Sequence, residues 1–317
     1  MLFLERLSIS KIFPRLLSVA VTVGCFLSLS HAAEVYLYPP EPTKLPIKQD
    51  YCSNYLLEIK GEITQGDDER FSQKIKELLT TIRKKSCVGD QFKTRLTSEG
   101  GDVSAALALG RVIRKVDAKV IVPIGSECLS SCVFVLLAGV DRQSYGKVGV
   151  HRPYFGHLSE LADAEAVRKA RDHFLSGIKV YLDEMNVSPR LLDIMLSVLP
   201  ENMRTLTTSE LLELRIIGVD ANFDERQVAK EAWIYGLTSA EFRKRRSIFL
   251  NTCPPLTIDG GSDEFLAREI CQLQTMLNIS REEAKRRNDR SYTCIDKPQI
   301  NDLDDMRCYR HYLFLGK

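Results

Sequence analysis

Three short segments of the sequence carry residue types that suit acyl transfer. Gly100 and Gly101 lie between a predicted strand and a predicted helix, where backbone N–H groups can face a developing oxyanion. Ser130 lies among small polar residues that follow a buried strand, and His151 lies at a strand end. Each segment alone also has an ordinary structural explanation: glycines that a tight turn requires, a serine that caps a helix, and a histidine on the surface or in the core. Together they predict oxyanion donors, a nucleophile and a general base.

The same segments resemble the proteolytic subunit of Clp protease, within the Clp protease and crotonase superfamily. The resemblance is carried by TSEGGDV at 97–103, CLSSCVF at 128–134 and VHRP at 150–153. The chain resembles exported Clp-like proteins of bacteria more closely still. The resemblance covers roughly residues 53–220. It implies an α/β fold built as a Clp/crotonase-like superhelix of repeated ββα units.

The resemblance also implies a role for individual residues. Ser130 matches the family's nucleophile and His151 matches its general base, which would take the serine proton. Gly101 and Ser131 match the positions whose backbone N–H groups form the oxyanion hole. No cofactor and no metal are implied.

The family's third catalytic residue, an aspartate, aligns here with Met203. Asn202 or Glu201 could orient the imidazole if the chain shifts by a residue or two, because an amide serves this purpose in other hydrolases. Otherwise the enzyme would run as a dyad or would be inactive. Lys147 leaves a serine–lysine dyad open, although a loop lysine is usually only a solvated charge.

The leading expectation is therefore an exported serine hydrolase, a peptidase acting on a peptide or protein substrate. A catalytically inactive Clp-like assembly or binding module is the alternative, since the aspartate is missing. Crotonase-type acyl-thioester chemistry is a third class, but it needs coenzyme A and has no use for Ser130 and His151. The resemblance also predicts a homo-oligomer in which a long helix, at about residues 158–185, lies between neighbours.

The first 32 residues are typical of a cleaved signal peptide and predict a bacterial periplasmic or secreted protein. A charged segment with Arg6, Lys11 and Arg15 precedes an apolar stretch at 16–29, and small residues precede the expected cleavage after Ala32. An uncleaved membrane anchor is the alternative, but the apolar run is short. No later segment reaches membrane-spanning length, so no stable membrane insertion is expected after cleavage.

The charge balance of the chain argues against a nucleic-acid partner. Of 317 residues, 44 are Lys or Arg and 42 are Asp or Glu. Removal of residues 1–32 takes away three basic residues and one acidic residue, and leaves 41 of each. Nucleic-acid binding would need a basic surplus.

Eight of the nine cysteines lie beyond the predicted signal peptide, an even number that suits disulfides in an oxidising compartment. Four near the C-terminus predict a two-disulfide module of open pairing, namely Cys253, Cys271, Cys294 and Cys308. Cys52 and Cys87 are a further candidate pair. Cys128 and Cys132, four apart on the predicted helix around Ser130, are either two buried thiols or a redox-sensitive disulfide.

Strands and helices alternate along the chain, which predicts an α/β domain with crossover connections. The predicted strands are 55–63, 94–97, 120–124 and 148–150, and the predicted helices are 67–85, 103–116, 130–138, most of 158–217, 227–250 and 263–277. The predicted organisation is a signal peptide at 1–32, an extended Pro-rich arm at 33–52, a Clp-like hydrolase domain at 53–222 and a small disulfide-bearing helical extension at 223–317.

Overall fold

The computed structural model describes residues 33–38, 56–85, 92–154, 163–257, 261–294 and 302–314. The predicted signal peptide, most of the Pro-rich arm, Cys52 and Cys87 lie outside these ranges.

The described residues form a mixed α/β structure, which confirms the predicted fold class at this level. The strands are β1 Glu34–Tyr38, β2 Leu56–Lys60, β3 Lys93–Thr97, β4 Lys119–Val122, β5 Glu127–Leu129, β6 Asp141–Ser144, β7 Lys147–Val150, β8 Arg204–Thr205 and β9 Gly218–Val219. The helices are α1 Asp67–Lys85, α2 Val103–Lys115, α3 Cys132–Leu137, α4 Ala164–Glu184, α5 Arg190–Ser197, α6 Thr208–Glu213, α7 Ala221–Ile234, α8 Ser239–Thr252, α9 Ser262–Leu277, α10 Arg281–Ser291 and α11 Asp302–Phe314.

The described strands form two sheets. The larger has the order β1-β2-β3-β4-β6-β9, and the smaller has the order β5-β7-β8. From β2 to β6 the pairs in the larger sheet are parallel, while β1 and β9 add antiparallel edges. The parallel strands are joined by helical crossovers, as parallel pairs require.

Two successive ββα units follow one another in the chain, β4-β5-α3 and β6-β7-α4. Their first strands pair in parallel in the larger sheet, and their second strands pair in parallel in the smaller sheet. The ends of β5 and β7 therefore lie side by side, which is the arrangement that brings the predicted nucleophile and base to one edge.

Helix α3 is short but firmly anchored. All six of its residues are buried, which explains its unbroken apolar sequence. The Tyr181 hydroxyl donates a 2.7 Å hydrogen bond to the carbonyl of Phe134, and burial raises the pKa of Tyr181, so this donor stays protonated. Buried Arg142 donates to the carbonyls of Leu137 and Met185, each at 3.0 Å. Burial lowers the pKa of Arg142 to about 10, so it is charged at neutral pH.

The buried apolar residues form two clusters within one compact unit. The first draws on residues 33–217 and lies between the strands and helices α1–α6. The second draws on residues 228–313, in helices α7–α11 and the turns that end α7 and α8. The predicted domain boundary near Asn222 falls between the two ranges, and it stays a prediction.

Three details of the predicted elements are wrong. The predicted helix at 227–250 is two helices, because the chain turns at Gly236 with φ +68°. Strand β6, which begins at Asp141, is not among the strands predicted from the sequence. Its sequence, DRQS, is polar and lacks the apolar pattern that predicts a strand. Its one buried side chain is that of Arg142, which donates to main-chain carbonyls. Cys128 belongs to strand β5 and not to a helix.

Three pairs of cysteine sulfurs lie at bonding distance among the described residues, Cys128–Cys132, Cys253–Cys271 and Cys294–Cys308. The last two pairs lie within the C-terminal extension and give the pairing that the sequence left open. Within the described ranges, no helix combines the length and apolar character needed to cross a membrane.

Candidate active site

The glycine turn, Ser130 and His151 follow three neighbouring strands. Beyond β3, Ser98 bridges to Cys128 of β5 in parallel, and the Leu129 amide donates to the Ser98 carbonyl at 3.0 Å. Strand β5 pairs in parallel with β7, so that Leu129 lies opposite Gly149. Because parallel strands end at the same edge, the segments that follow β3, β5 and β7 meet there.

Ser130 occupies the turn between β5 and α3 in a left-handed conformation, with φ +56°. Its amide donates to the Gly149 carbonyl at 2.9 Å, and its carbonyl accepts from the Val133 amide at 3.1 Å. A residue other than glycine costs about 1–3 kcal/mol in such a conformation, and these strained positions cluster at active sites. A serine on a tight strand-to-helix turn is also the geometry that exposes the nucleophile of other hydrolases.

Gly100 packs directly against the turn that holds Ser130. A Cβ atom at Gly100 would lie 2.7 Å from Ser130 Cβ and 3.2 Å from the Ser131 amide nitrogen, so a side chain has no room there. Gly100 and Gly101 have φ values of +111° and +138°. A Cβ at Gly101 would lie 2.1 Å from the carbonyl oxygen of Ile63. Both positions therefore need glycine for conformation and for space.

Neither of the two predicted oxyanion donors is hydrogen-bonded within the described part of the chain. The amide nitrogens of Gly101 and Ser131 take no part in its backbone hydrogen bonds. Ser98 and Asp102 hold the glycine segment from both sides: the Ser98 hydroxyl accepts from the Gly100 amide at 3.1 Å, and Asp102 caps α2 by accepting from the Ala105 amide at 2.7 Å. Free amides in a fixed turn are suited to binding a developing oxyanion.

A main-chain carbonyl holds the His151 ring. His151 Nδ1 lies 2.8 Å from the carbonyl oxygen of Arg152. Because a carbonyl only accepts, Nδ1 must carry the proton, and Nε2 then presents the lone pair that a general base needs. Arg152 is itself anchored, since its amide donates to Val198 O at 3.0 Å and its Nε donates to Leu196 O at 2.9 Å.

No carboxylate holds His151 within the described residues. Met203 immediately precedes β8, which pairs with β7 through Val150 and Arg204, so Met203 lies next to the end of β7. Its Cγ and Sδ atoms would each lie 2.9 Å from a Cβ at Gly149. The side chains of Glu201 and Asn202 are exposed and make no hydrogen bond to the His151 ring, whose bond to Arg152 is the one described.

Ser130 Oγ and the His151 ring are not hydrogen-bonded to each other in the described chain. Catalytic hydrogen bonds often tighten only when substrate binds. The main chains of the two residues are nevertheless coupled, because Ser130 N bonds Gly149 O, two residues before His151.

Lys147 lies at the far end of β7 from His151. Its Nζ forms a 3.1 Å ion pair with Glu127 Oε1, and both side chains are exposed. Glu127 and Lys147 also lie opposite each other at the starts of β5 and β7. Lys147 therefore lies at the end of the smaller sheet opposite to Ser130.

Two features of the site were not foreseen in the sequence. The role of the Arg152 carbonyl depends on the orientation of the His151 ring. The sequence gives no signal of this orientation, because an Arg that follows a His has no particular meaning. The strand position of Cys128 was missed because β5 has only three residues. Within the described residues, no group of three or more His, Cys, Asp or Glu side chains is placed to hold a metal ion.

No family model matches the sequence, and no curated protein matches it. Solved structures similar to this chain include two of mutants of 1510-N, a membrane-bound stomatin-specific protease, the second in complex with a substrate peptide. Each has a TM-score of 0.39 and 20% identity over 54% of this chain, covering 80% and 76% of the known chains. The likeness is partial, and the function of this chain has to be inferred from its own residues.

Proposed function

We propose that this protein is a serine hydrolase that acts on peptide bonds through acylation of Ser130. The observation that carries the proposal is the left-handed turn at Ser130, whose amide is bonded to Gly149 beside the predicted base. In the reaction, His151 Nε2 accepts the Ser130 proton as Oγ attacks the substrate carbonyl carbon. The amides of Gly101 and Ser131 bind the oxyanion.

The later steps, completion of acylation and then deacylation, use the same groups. His151 returns its proton to the leaving amine, the tetrahedral intermediate collapses, and an acyl-enzyme forms at Ser130. Water, deprotonated by His151, then attacks the acyl carbon. The bond between that carbon and Ser130 Oγ breaks, His151 returns the proton to Oγ, and the acid is released. No cofactor enters any step.

The Arg152 carbonyl replaces the aspartate of a triad in one of its two tasks. It fixes the tautomer and orientation of His151, which the geometry around Nδ1 supports. A neutral carbonyl stabilises the imidazolium less than a carboxylate does, because it carries no net charge. The proposed enzyme is therefore a dyad with a correctly oriented base, slower than a complete triad.

The proposal extends to the family, the assembly and the compartment. The two ββα units and the three motifs support a Clp/crotonase-like superhelix, and with it a homo-oligomer. Three disulfide pairs in the described chain support an oxidising compartment, and hence the export that residues 1–32 predict.

The alternative, an inactive Clp-like binding module, is favoured by one observation. Met203 stands where the family has aspartate, and no described carboxylate contacts His151.

A fluorophosphonate probe separates the two proposals. The mature protein, residues 33–317, is expected to be labelled, and Ser130→Ala is expected to abolish the labelling. Ser126→Ala, in the same segment, is the matched control and should be labelled like the wild type. His151→Ala should slow the labelling by about 10³-fold or more. Equal labelling of Ser130→Ala, or no labelling of the wild type under oxidising and reducing conditions alike, favours the binding module.

A further inference from the structure

A disulfide encloses the proposed nucleophile. Cys128, in β5, is bonded to Cys132, the first residue of α3, with a Cα–Cα distance of 5.3 Å. Ser130 is the central residue of the five-residue ring that this bond closes. Both cysteines are fully buried. The bond therefore joins the end of a strand to the start of a helix across the one turn whose conformation sets the position of Ser130 Oγ.

Both ends of this ring are attached to fixed elements. Cys128 lies opposite Val148 in the β5–β7 pair and is bridged to Ser98. On the other side, α3 is anchored by the hydrogen bond from Tyr181 to Phe134 O and the hydrogen bond from Arg142 to Leu137 O. The three residues between the cysteines are held by main-chain hydrogen bonds: the Leu129 and Ser130 amides donate to neighbouring strands, and the Ser130 and Ser131 carbonyls accept from the first turn of α3.

A left-handed serine persists only where its surroundings determine the conformation. Ser131 already has right-handed angles, with φ −64° and ψ −19°. Without the bond, Ser130 could adopt such angles as well and extend α3 toward β5, which would move Ser130 Oγ away from the end of β7. A covalent ring excludes many of the conformations that the turn could otherwise adopt.

We propose that the Cys128–Cys132 disulfide is a positioning element for Ser130, and that hydrolysis requires this bond in its oxidised form. The inference rests on the proposed function and adds a condition to it. Formation of the bond removes two electrons and two protons from the two thiols, by exchange with a protein disulfide oxidant that is itself reduced to a dithiol. Because both sulfurs are buried, reductants reach this bond only when the turn opens.

The test compares cysteine variants, since reduction of the wild type also opens the other disulfides. Cys128→Ala/Cys132→Ala removes the bond, and Cys128→Val/Cys132→Val removes it while it refills the buried space. Cys253→Ala/Cys271→Ala is the matched control, because it removes a disulfide of the C-terminal extension. Far-UV circular dichroism and thermal unfolding establish that each variant is folded.

For each protein, the saturating rate of fluorophosphonate labelling and the probe concentration at half-saturation are measured separately. Both variants at 128 and 132 should lower the saturating rate by about 100-fold, because misplacement of a nucleophile by about 1 Å has an effect of this size. The half-saturating concentration and the rate of the control should not change. A wild-type rate in both variants, or recovery of the rate in the valine variant alone, overturns the proposal.

Hydrogen exchange distinguishes this proposal from the proposed function. The Ser130 amide is hydrogen-bonded to Gly149 of β7, and the Val133 amide is hydrogen-bonded across the turn to the Ser130 carbonyl, so both should exchange at least tenfold faster when the bond is absent. If the oxidised wild type is not labelled at all, the proposed function fails, and exchange alone decides the positioning role. Unchanged exchange in both variants contradicts that role.

Discussion

At the scale of single residues, the site depends on how closely the glycine segment approaches Ser130. Gly100 has no side chain where one would collide with Ser130 Cβ, and its φ of +111° is unfavourable for other residues. A Cβ at Gly100 would also lie 3.2 Å from the Ser131 amide nitrogen and would crowd this proposed oxyanion donor. The glycine therefore has both a structural role and a role in forming the oxyanion site.

Gly100→Ala is predicted to lower both stability and activity. The new Cβ must displace the turn at Ser130 or distort β3, which should cost about 1–3 kcal/mol in the free energy of unfolding. Fluorophosphonate labelling should fall by about 100-fold, since the turn moves. Urea unfolding and labelling rates measure the two effects.

Gly177→Ala provides the control for this prediction. Gly177 lies in α4 with nothing within 4 Å of a built Cβ, so alanine should stabilise the protein by about 0.5–1 kcal/mol and leave labelling unchanged. Wild-type labelling and stability in Gly100→Ala would show that the glycine turn does not form the site.

The candidate residues of the site can be named from the sequence, whereas the main-chain contacts that hold them cannot. Ser130 and His151 stand out because each follows an apolar strand. The contact of the Arg152 carbonyl depends on side-chain direction, and the position of Cys128 depends on a three-residue strand, neither of which leaves a periodic pattern. The Cys128–Cys132 bond is one of the two alternatives that the sequence left open for this pair.

At the scale of secondary structure, long apolar patterns were reliable and short or polar elements were not. The predicted helix at 67–85 has the bounds observed for α1. Strand β6 was missed because its sequence is polar, and it is stabilised by β4, β9 and the hydrogen bonds of Arg142. Its formation is determined by tertiary contacts, which local sequence does not encode.

The disulfides of the C-terminal extension are predicted to stabilise the helical cluster at 228–313. Cys253–Cys271 links the end of α8 to α9 across a separation of 18 residues. Chain entropy gives such a loop about 3 kcal/mol. Cys253→Ala/Cys271→Ala should therefore lower the free energy of unfolding by about that amount, measured by denaturant unfolding.

The extension contains no residue of the proposed site, so the same variant should keep the wild-type labelling rate. An unchanged unfolding midpoint, or free thiols at these positions in the oxidised wild type, contradicts this prediction.

At the scale of the whole molecule, the proposed assembly predicts a homo-oligomer. The Clp-like resemblance places a long helix between neighbouring subunits, and α4 is the long helix at that place in the chain. Val180 on α4 is 53% exposed, so a substitution there tests whether this helix contacts a neighbouring subunit. Sedimentation velocity of residues 33–317 should give an oligomer, and Val180→Glu should shift it toward monomer. A wild-type monomer at micromolar concentration contradicts the prediction.

The most direct test of the proposed chemistry is to locate the residue that reacts. The oxidised mature protein is treated with a fluorophosphonate, digested, and mapped by tandem mass spectrometry. We predict one phosphonyl adduct, on the Ser130 hydroxyl, in the wild type, and strongly reduced adduct in His151→Ala. An adduct on another serine, or an unmodified Ser130 after prolonged incubation, would contradict the assignment of Ser130 as the nucleophile.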